Sequence, residues 1–430
     1  MTDHVDIAII GGGPVGISLA LALEGSGLRL AVLEAKQTLE APDPRALALS
    51  QGCRLILERL AAWEALAPSA TPIESIHVSQ RGGLGRAVLT SREIGVPALG
   101  YVAEYCALYA ALAGRLLGCG SIEVLTGARV SDVAATSAYG AVRYQRDGAE
   151  RLLTARLVVL SEGGRSLPAH MRQDKDYGQS AVICTVATQR PHARRAYERF
   201  TPEGPIALLP LDLPSSPPMQ PRSDRSPGRL KSDSVPAGPG LGDPPDRPRV
   251  LPLAGEGRYA LVWTTPRERV EERLGLSDAA FLAQLQTAFG DRQGRFTLAG
   301  PRAAYPLKLA LAAASTSARF LRIGNAAHVL HPVAGQGFNL GVRDAWQLAQ
   351  TLLDAPRQRL GEVALSRAYA AQRHFDVLGG SLMTDILVES FSNDRLLLGA
   401  ARGAALALLD LAPPLKQLFA RKMMFGAQSW

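Results

Sequence analysis

The chain opens with apolar, largely β-branched positions from Val5 to Ile10, which give way to GGGPVG and then to an alanine- and leucine-rich stretch reaching about Glu24. A buried strand, a tight turn and a helix are predicted in that order. LRLAVLE (Leu28–Glu34) adds a second strand and completes a β-α-β unit. Helical periodicity follows from about Ser50 to Leu66 and from about Ala103 to Leu117, where AEYCALYAALAGRLL is built from good helix formers. Between them, SIHVSQRGGLGRAVL has the pattern of a hairpin. Strand-like runs recur at Ile122–Leu125, Ala141–Gln145, Leu157–Leu160, Ala181–Thr188 and Ala260–Thr264, so the middle third is β-rich. Leu321–Gln350 predicts a buried strand, a polar glycine-rich loop and a helix beginning near Gly337.

The pattern fails from Leu211 to Pro248, where 10 of the chain's 29 prolines fall among Ser, Gly, Asp and Arg. A low-complexity, disordered surface insertion is predicted there. Composition changes this picture little: 430 residues, 47% hydrophobic and 20% charged, suit two packed domains. Cys53, Cys106, Cys119 and Cys184 have neither paired nor metal-like spacing, so no disulfide framework and no metal site is expected, and a reducing cytoplasm fits. The opening MTDHVDIAIIGGG has no basic stretch ahead of an apolar core, and no secretory leader is expected. The net charge of +8 is dispersed, without a recognition motif or stacking platform, which disfavours nucleic acid as a partner. An anionic membrane surface or an anionic cofactor accounts for it equally well. Leu396–Leu411 is apolar but interrupted by Arg402 and Asp410, short of the ~18 apolar residues a membrane span needs. Lys416, Arg421 and Lys422 follow, interleaved with Leu415, Leu418, Phe419, Met423 and Met424. This tail reads either as a core helix or as a face resting on a membrane.

Candidate chemistry begins at Gly11-x-Gly13-x-x-Gly16, between a predicted strand and a predicted helix that opens with Pro14. Gly11 permits the tight turn, Gly13 lets the backbone approach a pyrophosphate, and Gly16 lets helix pack on strand. The helix N-terminus favours the negative charge. Glu34 closes the second strand 18 residues after Gly16 (34 − 16 = 18), where a carboxylate meets an adenosine ribose. From these residues alone the ligand is FAD or NAD.

The downstream stretch GNAAHVLHPVAGQGFNLG resembles the flavin-dependent aromatic hydroxylases that have one dinucleotide fold and a G-D-x(6)-P-x-x-G-Q-G-x-N signature. Asn325 stands where the broader family has aspartate. With that asparagine, the segment is similar to the ubiquinone-pathway hydroxylases acting on 2-polyprenyl-6-methoxyphenol, as are DPRALALS (Asp43–Ser50), HVSQRGGLG, YGQSA, ERFTPEGPIALLP and NDRLLLGAARGAALALLDLAPPLK. The family's A-D-G-x-x-S-x-x-R segment is eroded to SEGGRSLPA (Ser161–Ala169), with Glu162 for the aspartate and Ala169 for the arginine, which puts the mode of reductant binding in doubt.

The resemblance implies a mixed α/β (α+β) fold of the para-hydroxybenzoate-hydroxylase kind. An FAD-binding Rossmann-type domain (1–70, 98–171 and 301–360) would hold an inserted β-sheet substrate domain (71–97 and 172–300), with C-terminal helices over 361–430. It implies FAD, NAD(P)H as a transient reductant and O2 as co-substrate, the oxygen passing through a flavin C4a-hydroperoxide to the ring of a polyprenylated phenol. Asn325, Gly335, Gly337, Phe338 and Asn339 are the implied contacts with the ribityl chain and pyrimidine end. Arg45 falls near the flavin, and Val130 is counted among the cofactor contacts. His331 and Pro332, just before AGQG, are the candidate ring-positioning residues. His331 reads either as proton acceptor for the phenol or as a hydrogen-bond anchor of its loop. A sister enzyme acting at another ring carbon, a non-catalytic scaffold for a prenylated quinone precursor, and a flavin dehydrogenase that uses no oxygen are the alternatives. The expected location is cytoplasmic, with a peripheral site on the inner face of the plasma membrane as the variant the tail suggests.

Overall fold

The computed structural model describes residues 3–41, 43, 45–83, 85–162, 172–212, 256–312, 318–329, 336–391 and 396–426. From residue 213 onward the proline-rich stretch lies outside them. In chain order the helices are α1 (Pro14–Ala22), α2 (Gln51–Arg59), α3 (Trp63–Leu66), α4 (Ser91–Ile94), α5 (Tyr105–Leu117), α6 (Val270–Gly275) and α7 (Asp278–Phe289). Then come α8 (Gln336–Leu353), α9 (Val363–Phe391), α10 (Leu396–Leu411) and α11 (Pro413–Phe425).

Two large sheets and one small sheet organise the described residues. In the first, strand Asp3–Ile10 is central, parallel to Leu30–Glu34 on one side and Ala149–Leu160 on the other, in the register Ile7↔Leu30 and Ile7↔Leu157. Ile122–Thr126 and Phe320–Arg322 extend the parallel set, and Gly140–Arg146 and Arg129–Ala135 close it antiparallel. The strands flanked on both faces are continuously apolar, and Ile7, Ile9, Val32, Leu157 and Val159 are fully buried against α1, α5 and α8.

The second sheet runs His328–Val329, Ala303–Ala312, Arg172–Thr188, Gly257–Pro266, Gly204–Pro210, Arg195–Thr201, Ser75–Gln80, Arg86–Thr90, with Phe296–Ala299 also paired to Arg172–Thr188. The last two long-sheet strands are the hairpin read from SIHVSQRGGLGRAVL. Its α7 face is a core of Trp263, Tyr259, Phe281, Leu285 and Phe289. The small sheet, Ala46–Ser50, Gly100–Glu104 and Thr71–Ile73, is a ladder of its own that packs on the second sheet through Ile73 and Val102.

Three local expectations are revised. The helix expected over 50–66 is interrupted because Ala61 takes a positive φ of 54°, a conformation no helix continues through. The helix expected from Ala103 begins at Tyr105, because Val102 and Ala103 are paired with Ala48 and Leu47 in the small sheet. Lys416, counted in the tail that reads either as a core helix or as a face resting on a membrane, is buried and so belongs to the core alternative. Its ammonium donates to Val88 O at 3.0 Å and pairs with Asp410 at 3.0 Å. Arg421, Lys422, Leu408, Leu411, Leu415 and Leu418 are exposed. No helix of the described residues is long and apolar enough to cross a membrane.

Candidate active site

The glycine turn shows a division of labour in what an added Cβ would meet. At Gly16 it would lie 2.1 Å from Gly11 O and 2.5 Å from Ser161 Oγ. At Gly11, whose φ is +108°, it would lie 2.9 Å from the backbone N of Glu162. At Gly13 it would meet nothing within 4 Å. The first two glycines are required by protein packing, whereas the third faces open space. Gly13 is also the N-cap of α1, with Pro14 after it and no side-chain cap, so the free N–H groups of the helix start are left for a ligand.

A cavity of about 390 Å³ opens at this point, lined by Gly13, Glu34, Lys36, Ala41, Asp43, Arg45, Tyr105 and Tyr109. Glu34 accepts Gly12 N–H at 2.8 Å and Lys36 N–H at 3.0 Å, which fixes its carboxylate at the cavity edge while lone pairs remain. Arg45 is held by Asp43 through Nε at 2.7 Å and 2.9 Å and lies 4.7 Å from the Tyr305 ring centroid. The Asp43 hydrogen bonds raise Arg45 above its ordinary pKa. Burial works to raise Asp43, but Arg45 outweighs it and holds the carboxyl low. Tyr109 donates to Gly12 O at 2.9 Å, and Ser161 donates to Ile10 O and Gly11 O at 3.0 Å each. Burial raises the Tyr105 and Tyr109 hydroxyls, so both stay neutral.

A second helix start lies alongside. Val15, in the first turn of α1, would be 3.0 Å from a Cβ at Gly324 and 2.9 Å from one at Gly341, so α1, α8 and the turn Gly324–Ala326 meet at close range. Asp344 on α8 ties them together. It accepts from Gly324 N–H at 2.9 Å, contacts His328 Nε2 at 2.5 Å, and accepts from Arg373 of α9 at 2.8 Å. Burial works to raise this carboxyl, but His328 and Arg373 together drive it far below the usual range. Asn325 is exposed, Gly337 has open space where a Cβ would be, and Phe338 is half-buried against the core. Asn339 is buried with both ends of its amide engaged, Nδ2 donating to Ala48 O and Oδ1 accepting from Ser50 N–H, each at 2.8 Å. Its side chain thus fastens the small sheet to α8, leaving the backbone to face a ligand.

The structure therefore places Gly13, Glu34 and Arg45 around one cavity, with Gly11, Pro14 and Gly16 in the adjoining turn and helix start, Gly337, Phe338 and Asn339 in the first turn of α8, and Asn325 in the turn packed against that helix. Val130 stands apart from the cavity lining: it pairs with Tyr144 and packs on the opposite face of the first sheet. His331, Pro332, Gly335 and Ala169 lie outside the described residues. Asp43, Tyr105, Tyr109, Ser161 and Asp344 were missed. The spacing of Tyr105 and Tyr109, one helical turn apart, was the available signal for two of them.

Residues 4–376 match the FAD binding domain family. Over 97% of the chain and 89% of the relative, the sequence is 32% identical to the ubiquinone hydroxylase UbiL of Rhodospirillum rubrum. The chain belongs to the FAD-dependent hydroxylases of the ubiquinone pathway. This hydroxylase is also 26% identical to the 3-demethoxyubiquinol 3-hydroxylase of Escherichia coli, over 97% of its own length and 98% of the relative's. Its fold matches p-nitrophenol 4-monooxygenase PnpA from Pseudomonas putida with a TM-score of 0.73 at 16% identity, covering all of both chains. The cavity suits the adenosine-diphosphate half of FAD. A carboxylate stands ready for ribose hydroxyls, an arginine for phosphate, and the uncapped start of α1 at Gly13 has room for close approach.

Proposed function

We propose that this hydroxylase inserts one oxygen atom of O2 into the ring of a polyprenylated phenol, 2-polyprenyl-6-methoxyphenol, with NAD(P)H as a transiently bound reductant. The observation that carries the reading is identity with a ubiquinone hydroxylase across almost the whole chain. In this reading the backbone of Gly11, Gly13, Pro14 and Gly16 meets the pyrophosphate of FAD, Glu34 its ribose, and Arg45 balances its charge. Asn325 and the backbone of Gly337, Phe338 and Asn339 face the ribityl chain and pyrimidine. The N-terminal turn of α8 would then stabilise negative charge on that ring. When bound, FAD supplies the electron transfer and oxygen activation. The protein's part is to hold the phenol beside it and exclude water. The exposed leucines of α10 and α11, with Arg421 and Lys422, support peripheral contact with an anionic membrane, where a prenylated substrate resides.

A second reading, hydroxylation at another ring carbon, is favoured by the similarity to a 3-demethoxyubiquinol 3-hydroxylase. Purified holoenzyme is tested by following NAD(P)H oxidation with a short-chain 2-prenyl-6-methoxyphenol and identifying the product by mass spectrometry and NMR. A singly oxygenated para-hydroquinone supports the first reading. Oxygenation elsewhere on the ring supports the second, and reductant oxidation that yields only hydrogen peroxide excludes this phenol as substrate.

A further inference from the structure

One row of side chains across the second sheet breaks the usual rule of a buried apolar face. Val78, Glu198, Ala207, Val262 and Ile183 are successive cross-strand neighbours on five adjoining strands and so share a face. All five keep part of their surface accessible although their strands are interior to the sheet, while His77 and Tyr197, on the α7 side, are buried. The face therefore borders a recess. Its walls are identifiable from the residues flanking Glu198 on its own strand. Ala196 packs with Ile73 and Val102 of the small sheet, and Phe200 packs with Leu406 and Leu409 of α10. The small sheet is the one that Asn339 fastens to the start of α8 and that Arg45 joins to the cofactor cavity.

Within this apolar row Glu198 is the one ionisable side chain, and it has no hydrogen-bond partner among the described residues. A carboxyl that faces an apolar recess with no protein partner is left available to a ligand. We propose that Glu198 receives the hydroxyl of the phenolic substrate, with Val78, Ala207, Val262 and Ile183 forming the floor on which the ring and the first part of its prenyl chain lie. This inference rests on the substrate reading above and names the residue that recognises the phenol. The carboxylate accepts a hydrogen bond from the phenol and then its proton. The phenolic O–H bond breaks, an O–H bond forms on Glu198, and the electron pair stays on the ring oxygen, enriching the ortho and para carbons. Burial pushes the Glu198 carboxyl up to about 7, which narrows the gap to a phenol of pKa about 10.

The test uses wild-type holoenzyme and the Glu198→Gln and Glu198→Leu variants, titrated with 2-prenyl-6-methoxyphenol of one isoprene unit and with its O-methyl ether, read from the flavin absorbance. Wild type is expected to prefer the phenol by about tenfold or more, the worth of a hydrogen bond to a charged group. Both variants are expected to keep their FAD and their affinity for the ether while losing that preference. Variants that retain the wild-type preference overturn the assignment of Glu198. Wild-type binding of neither probe overturns the substrate reading itself, and this inference with it. Two variants of different size guard against a loss caused by packing alone.

Discussion

Gly13 and Gly16 look alike in the motif and differ in what surrounds them. A methyl group at Gly16 runs into the carbonyl of Gly11, so Gly16→Ala is expected to lower stability by about 1–3 kcal/mol, seen as a shift in the denaturant midpoint. A methyl group at Gly13 meets open space, so Gly13→Ala is expected to leave the midpoint of the apoprotein unchanged while the protein purifies with less FAD. Equal loss of stability in both variants would contradict this division. Residues whose role depends on the local turn were legible in the sequence, because a strand, three glycines and a helix imply one another. Ser161 and Tyr109 were not legible, because their work is to hold a turn far away in sequence. Nothing in the composition around Tyr109 signals that its hydroxyl reaches Gly12 O, 97 positions earlier.

Between elements, much of the site's rigidity depends on a buried charge network. Asp344 joins the Gly324–Ala326 turn, α8 and α9, and Arg373 carries the link on to Asp376 at 2.6 Å. Asp344→Asn removes the buried carboxylate that Arg373 and the Gly324 N–H share and is expected to cost about 3–5 kcal/mol, with FAD retention falling alongside the unfolding midpoint. A second expectation concerns acid. Burial and the neighbouring Arg292 lower His77 from 6.5 to about 4. Between those values the unfolded chain takes up a proton that the folded chain refuses. The stability is therefore complete above pH 6.5 and declines as the pH falls toward 4. In His77→Gln, melting temperatures across pH 4–7 should decline less steeply than in wild type. The strands of this region were readable as runs of β-branched residues. The short strand Gly100–Glu104 was not, because its helix-forming residues are held extended by pairing with Ala46–Ser50.

For the whole molecule, the C-terminal helices decide whether the enzyme works at a surface. Replacing Leu411 and Leu418 with glutamate is expected to reduce flotation with vesicles containing phosphatidylglycerol several-fold, while turnover of a one-isoprene phenol is unchanged. Equal flotation would show that the exposed leucines have no part in lipid contact. The burial of Lys416 narrows the two readings of the tail: a basic residue counts toward a surface field only if it reaches the surface, and Val88 and Asp410 draw this one inward. Strand Asp3–Ile10 has its own consequence. Its partner Ala149–Leu160 leaves the ribosome some hundred and forty residues after it, and the turn at Gly324 that packs on Val15 emerges later still. During synthesis the nascent chain therefore presents an unpaired apolar strand edge until Ala149–Leu160 emerges, a hazard for aggregation over that interval. Premature termination anywhere before α8 should thus yield insoluble fragments rather than smaller flavoproteins, and nascent-chain chaperones should associate most strongly before residue 149.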